Sequence, residues 1–410
     1  MEERGPRFFG RDFLLLWQGQ LVSQLGNQAF LVATMSWTLE ATGSPGLMGL
    51  LLMVSTLPAV VFGPVAGAVA DRHSRRGLIV GADLVRGMGH LGLAAVLMAA
   101  PDGTRLVVAL LLLLGFVSGM LGALLTPALA AAVPDLVPAR RLAAANSLHQ
   151  MSTQTAALLG QAAGGVAYTL AGAAGLVLFD GLTFLVSAAF AALARVPPPP
   201  ARPDGGVKDR AAAYLRDVRE GMSWLWRRPA LRSLVLAFGG VNFLFTPVFV
   251  LLPVYVKDVL VRGPEWYGFL LAAAGGGAMA GAALAPLAPG GRRGILVSLS
   301  GIGAFTMVLA AGPSAPLALA ALAAVGLLSG IVNVRVMTTL QEETPAELRG
   351  RVLAVTVALA GAAVPAGLGL GGWLGGAMRH ALPPVIAACG AGIVVVAALF
   401  GTRKPPSSAR

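Results

Sequence analysis

Of the chain's 410 residues, 12% are charged and 56% apolar, and the formal net charge is +12. A soluble globular chain carries charge on roughly a quarter of its residues, so a protein of this composition would aggregate in water and must instead cross a membrane many times. The single cysteine, Cys389, excludes a disulfide framework and any cysteine metal site, and the histidines His73, His90, His149 and His380 stand without metal-ligand spacing.

A spanning helix takes about 20 mainly apolar residues. The first such run, Asp12 to Leu39, is too long for a signal-peptide core and is read as span 1. It is polar for a span, with Gln20, Gln24, Asn27 and Gln28. Gln20, Gln24 and Gln28 recur every four residues and line one face. Amides facing lipid are costly, so this face looks into the bundle. There it either lines a substrate cavity or ties helices together. Glu40 follows near the outer end of the span.

Span 2 ends in Gly67-Ala-Val-Ala-Asp71-Arg72-His73-Ser74-Arg75-Arg76-Gly77, a turn too short to hold a domain. The carboxylate of Asp71 falls at a helix C-terminus, where the macrodipole disfavours it. It calls for a partner, either a neighbouring arginine or the N-terminus of another helix, unless the loop's charges are merely solvated anchors. Span 3 then carries Asp83 and Arg86, three apart on one face and roughly 9 to 14 Å into the helix. Charges at that depth need pairing. A self-contained pair or an extension of the loop's network is expected, and Arg335, the other cation inside a span, is grouped with them.

Span 4 gives way to Val133-Pro-Asp135-Leu-Val-Pro138-Ala-Arg140-Arg141-Leu142 and then Ala145-Asn146-Ser147. Span 5 sets Gln150, Gln154 and Gln161 on one face, followed by Gly164-Gly165. The apolar run beginning at Leu142 holds two spans once it is broken at 171–174. Span 6 carries Asp180 near its outer end, before Thr183-Phe184, and Pro197–Pro200 closes the first half. In the linker that follows, 209–228 places Leu215, Val218, Met222 and Leu225 at spacings of three and four with arginines opposite, the pattern of an interfacial amphipathic helix. A passive linker helix is its simpler reading, lipid sensing the bolder one.

The second half repeats the first. At an offset of 207, Val133, Asp135 and Pro138 fall on Leu340, Glu342 and Pro345, and Gly160, Gly164 and Gly165 on Gly367, Gly371 and Gly372. The pairs Gly63/Gly67 and Gly277/Gly281, and Gly115/Gly119 and Gly326/Gly330, match at 214 and 211. Ala285 takes the place of Asp71, so the second copy of the loop has lost its acid. Asn242, in span 7, joins the cavity candidates. With twelve spans and the N-terminus inside, 24 of the 30 lysines and arginines fall on the cytoplasmic side and four on the other. That split is a strong positive-inside signal, and it needs no nucleic-acid partner.

Several of these stretches resemble the major facilitator superfamily. The loop from Gly67 to Gly77 is similar to that family's signature loop, with Ser74 where the family has Gly. The Pro-Asp-Leu-Val-Pro segment with Ala145-Asn146-Ser147, together with Asp180 before Thr183-Phe184, resembles the branch of macrolide-efflux pumps and the enterobactin exporter. Gln161 stands where the drug-antiporter motif has proline. The resemblance implies an all-α membrane fold of 12 transmembrane helices in two six-helix halves. It also implies alternating access and a gating role for Gly67, Asp71, Arg72, Arg75 and Arg76, with Asp71 latching the halves through span 11.

The expectations are therefore an N-terminal half over 1–196, a cytoplasmic linker over 197–230 and a C-terminal half over 231–410. The chain is read as a monomer in the cell inner membrane with both termini cytoplasmic. It is no enzyme, needs no cofactor or metal, and exports a hydrophobic or amphiphilic small molecule such as a drug, macrolide or siderophore. Gln20, Gln24, Asn27, Gln28, Gln150, Gln154 and Asn242 are the substrate-cavity candidates. No acid lies in the central thirds of spans 1, 4, 7, 8, 10 and 11, so coupling to protons would run through Glu40 or Asp180, although an acid near an outer end also reaches interfacial water as a structural cap. A lysophospholipid or lipid flippase is the rival within the class, and a transport-inactive receptor or scaffold the rival outside it.

Overall fold

The computed structural model describes residues 9–70, 73–100, 103–197, 207–289, 291–312 and 314–402. Backbone N–H and C=O groups in lipid must find their partners within the protein, which leaves helices and closed barrels, and apolar runs of about 20 residues suit the helix. Among the described residues the regular elements are all helical: α1 (Arg11–Thr42), α2 (Pro45–Ala70), α3 (Arg75–Ala99), α4 (Thr104–Leu136), α5 (Leu142–Leu193), α6 (Val207–Trp226), α7 (Pro229–Val254), α8 (Pro264–Leu284), α9 (Gly291–Ala311), α10 (Ala315–Glu343), α11 (Ala346–Ala377) and α12 (Leu382–Thr402). Ten of the helical stretches are long and apolar enough to cross a membrane. One of them is double: α5 is interrupted at Gly172, with φ 64° and ψ −174°, into arms 142–171 and 173–193. That backbone conformation suits glycine alone at little cost, and it falls inside the break expected at 171–174. Adding the second arm of α5 and the more polar α1 gives twelve membrane helices, and α6 is the linker helix between the sixth and seventh.

Ser74 explains its own place in the signature loop. Its Oγ accepts the N–H of Gly77 at 3.2 Å, making it the N-cap of α3. A glycine there would leave that helix end without a side-chain acceptor.

By contact the chain forms two compact units, one within residues 1–37 and 61–211, the other within 38–60 and 212–410. Lipid tails are as apolar as leucine, so helices in a membrane associate by close packing rather than by burying oil. Both units achieve this with small residues at matching places. In the first, a Cβ on Gly160 of α5 would sit 2.8 Å from the Leu25 carbonyl oxygen of α1, and one on Gly164 would meet Ala29. In the second, Gly367 and Gly371 of α11, offset by 207, press in the same way on Phe243, Thr246 and Pro247 of α7. The duplication legible in the glycines is thus a duplicated helix contact. Elsewhere in the second unit α8 and α10 meet through Gly277, Gly281, Gly326 and Gly330, and the start of α2 packs on α11 through Gly49 and Gly372.

The linker helix departs from its expected position. Leu225 is buried in the core of the second unit with Val336, Leu340, Val352 and Val355, and the half-buried Val218 and Met222 pack against that core. Gly221 lies against the backbone of Arg351, and Arg351 pairs with Asp217 at 3.0 Å and Glu220 at 2.9 Å. An apolar stripe of this period fits a protein groove as well as a membrane surface, and here the groove is built by α7, α10 and α11.

Candidate functional site: a cavity beside a buried charge cluster

In the first unit a cavity of about 360 Å³ opens between α1, α4 and the first arm of α5. Phe13, Leu16, Trp17, Leu129, Ala130 and Val133 make its apolar wall; Gln20, Gln24, Thr126, Asn146, His149 and Thr153 supply the polar groups. Trp17 Nε1–H donates to Ser152 Oγ at 2.8 Å and fastens α1 to α5 beside it.

The four amides of α1 part company. Gln20 and Gln24 line the cavity, and the Oε1 of Gln24 is buried and accepts no hydrogen bond from the described residues. Asn27 is exposed. Gln28 Oε1 accepts from Gln161 Nε2 at 2.8 Å, so this one amide ties α1 to α5. On α5 the cavity wall is Asn146, His149 and Thr153, whereas Gln150 is exposed and Gln154 half-buried, neither contributing to that wall. The polar face of α5 that meets the cavity is therefore turned from the glutamine stripe. The spacing 146, 149, 153 was the available signal, hidden because histidine and threonine look less like a stripe than repeated glutamine.

Behind Gln20 lies a cluster of buried charges between α3 and the second arm of α5. Gln20 Nε2 donates to Ser187 Oγ at 3.2 Å and reaches Asp83 Oδ2 at 3.5 Å, and Ser187 Oγ donates to Asp83 Oδ2 at 2.7 Å. Asp83 is 1% exposed. Of the two arrangements open for Asp83 and Arg86, a self-contained pair or an extension of the loop's network, the direct pair does not form: the Arg86 guanidinium donates to the Ser118 carbonyl at 2.7 Å and lies over the ring of Phe184, 5.5 Å from its centroid. One turn further along α3, His90 Nδ1 lies 2.7 Å from the Arg86 carbonyl and Nε2 lies 3.4 Å from Asp180 Oδ2. Phe30 and Phe184 flank the imidazole, with ring centroids 4.6 and 5.5 Å away.

Asp180, the coupling candidate near the outer end of span 6 whose other reading is a cap in interfacial water, is 0% exposed, which disfavours the cap. Close helix approach seals it in. Gly26 of α1 lies against Asp180 and Thr183, and Gly87 and Gly181 bring α3 and α5 together. Glu40, the other coupling candidate, is exposed. Arg335 does not belong to this cluster; it donates to the carbonyls of Pro286 and Ala288 beyond α8, within the second unit. Asn242 Nδ2 donates to the Phe238 carbonyl of its own helix at 2.8 Å.

In the signature loop, Asp71 and Arg72 and the surroundings of Gly67 lie outside the described residues. Arg75 is 8% exposed and donates to the Ala131 carbonyl at 2.9 Å and to the carboxylate of Asp135. Arg76 donates to the Ala192 carbonyl. The signature loop and the Pro-Asp-Leu-Val-Pro segment, separate in the chain, thus close on one ion pair that holds α3 to α4.

Twelve membrane helices among the described residues, in two units that repeat one another's contacts and with a largely apolar cavity in the first, make a multi-pass membrane protein. Residues 16–366 match the family model described as Major Facilitator Superfamily; the chain belongs to that family. It is 26% identical over 246 residues to macrolide efflux protein A of Streptococcus pyogenes, a match that covers 60% of this chain and 59% of that relative's length. With the enterobactin exporter EntS of Shigella boydii serotype 18 it shares 30% identity over 346 residues, 82% of this chain and 78% of the other. Among solved structures, a bacterial homolog of the human lysosomal transporter Spinster, inward-facing and unoccupied, superposes with a TM-score of 0.74 at 16% identity, covering 95% of each chain.

Proposed function

We propose that the chain exports a hydrophobic or amphiphilic small molecule, of the drug, macrolide or siderophore kind, by alternating access driven by protons. The observation that carries this reading is the cavity. Its volume of about 360 Å³ falls at the small end of the range of roughly 300 to 1,000 Å³ found for ligand pockets. Aromatic and aliphatic side chains form most of its wall, and a few amide, hydroxyl and imidazole groups are turned inward, which suits an apolar solute with one or two polar handles. Gln24, with a buried carbonyl oxygen left without a partner among the described residues, is the group assigned to meet a donor on the solute. The efflux activities named for the relatives support the direction of transport. On this reading the basic side of the molecule faces the cytoplasm, the protein works as a monomer, and the signature loop gates the inner side through Asp71.

Inside-out vesicles energised with a proton gradient test this against a panel of macrolides, cationic dyes, catecholate siderophores and lysophospholipids. Gradient-dependent accumulation of one of the first three classes is expected, with Gln24→Leu changing which compounds are carried and Asp71→Asn abolishing transport while protein level holds. Movement of lysophospholipid alone would make the chain a flippase, and no movement of any class would leave it a receptor or scaffold.

A further inference from the structure

The charges around His90 and Asp180 sit where the fold needs none. In the second unit α9 meets α12 through Gly303 and Gly390, whose backbones touch, with Ile302, Ile393 and Ala397 buried around them. Apart from Arg292 and Arg293 at one end of α9, neither helix carries a charge. The corresponding meeting of α3 with the second arm of α5 is held as closely by Gly87 and Gly181, yet it buries two carboxylates, a guanidinium and an imidazole. Charge within a membrane protein is expensive and marks function. The second unit packs the same interface without it.

Hydrogen placement narrows the function. The Arg86 carbonyl has no hydrogen to give, so its 2.7 Å contact puts the hydrogen on His90 Nδ1. In a neutral ring Nε2 is then a lone-pair acceptor. What it faces at 3.4 Å is Asp180 Oδ2, an acceptor when ionised, which takes no hydrogen bond from the described residues. Two acceptors confronting each other in a dry site need a proton between them. Charge counting reaches the same result. Asp83 and Asp180 against Arg86 leave the cluster with one excess negative charge, and a single added proton makes it neutral, which burial favours. Among the described residues nothing else nearby carries charge: α1 presents Gln20 and Phe30, α4 the Ser118 carbonyl, and α5 Thr183 and Ser187.

We propose that His90 and Asp180 together hold one exchangeable proton, and that Gln20 links its presence to the occupancy of the cavity. The proton passes from hydronium to the Nε2/Oδ2 pair, leaving water behind; no other bond changes, and its release restores the negative cluster. Gln20 is the link because one amide both lines the cavity and donates to Ser187 and Asp83. A solute that engages this amide alters what stabilises the cluster's charge, and the proton in turn alters the affinity for the solute. The proposal rests on the export reading for its role, though not for its existence.

Purified protein in liposomes, labelled with nitrogen-15 at histidine, tests it. Magnetic resonance reads the hydrogen on His90 Nε2, and infrared spectroscopy reads the C=O stretch of a protonated carboxyl, each assigned with His90→Asn and Asp180→Asn. At neutral pH one of the two groups should carry the proton. A bare Nε2 together with no protonated carboxyl overturns the proposal whatever the protein transports. In a second arm, a pH gradient is imposed on liposomes given a macrolide, a cationic dye or a catecholate siderophore. Both variants should lose stimulation by the gradient and keep downhill exchange, and Gln20→Leu should lose the stimulation while keeping the proton. Full stimulation in all three overturns the coupling. A wild type that moves none of these probes but shows the proton sinks the export reading and leaves the proton pair standing. If neither variant folds, the wild-type spectra alone decide.

Discussion

At the scale of single residues, the signature loop is built into the first unit by ordinary capping and pairing. Ser74 caps α3, and Arg75 turns its guanidinium back to α4. Both the loop and the segment around Asp135 stood out in the sequence, but nothing in their spacing said that they meet. That partnership depends on how α3 and α4 pack, which charge patterns along the chain do not encode. Because Arg75 is largely buried and Asp135 only partly exposed, removing either partner leaves the other poorly paired. A double-mutant cycle with Arg75→Gln and Asp135→Asn, read by unfolding in detergent, should give a coupling of about 0.5–3 kcal/mol. Losses that simply add would mean that the two side chains are independent anchors. The buried cluster shows the same limit at higher stakes. Asp83, Arg86 and Asp180 were each legible as charges inside spans, whereas His90 was set aside as a scattered histidine, and only the contact between α3 and α5 reveals what it faces.

At the scale of helices, most of what the sequence offered was correct in kind. The break near 171–174 follows from glycine's access to a positive φ, and the paired glycines mark contacts rather than composition. The linker helix was the exception in position, since a stripe at helical spacing does not say whether lipid or protein will cover it. Within α8 two glycines separate packing from propensity. A Cβ on Gly281 would run into the carbonyl of Leu327 in α10, while a Cβ on Gly275 would meet nothing within 4 Å. Overpacking of this kind costs about 1–3 kcal/mol, whereas alanine is the better helix former by about 1 kcal/mol where space allows. Gly281→Ala is therefore expected to lower the melting temperature in detergent, and Gly275→Ala to leave it unchanged or raise it. Equal shifts for the two would show that α8 and α10 do not depend on close backbone approach.

At the scale of the whole molecule, one packing scheme is used twice and charged once. The glycine contacts of α5 on α1 return as those of α11 on α7, but the acids, the imidazole and the guanidinium of the α3–α5 interface have no counterpart between α9 and α12. Duplication is legible because it preserves spacing; the asymmetry is legible only when the two copies of an interface are compared in space. The same asymmetry of charge, counted over loops instead of interfaces, sets the expected orientation. With 24 of the 30 basic residues assigned to one side by the twelve-span reading, that side is expected in the cytoplasm, since moving short basic loops across the bilayer is disfavoured. Cys389, buried in α12, can be replaced by alanine to give a background without thiols. In that background Ser74→Cys places a thiol in an exposed loop of the basic side. Val261→Cys places one between α7 and α8, where the native side chain is 80% exposed. A membrane-impermeant maleimide applied to whole cells should label the cysteine at 261 and reach the one at 74 only after the cells are permeabilised. The reverse pattern would turn the protein over in the membrane and, with it, the direction assigned to transport.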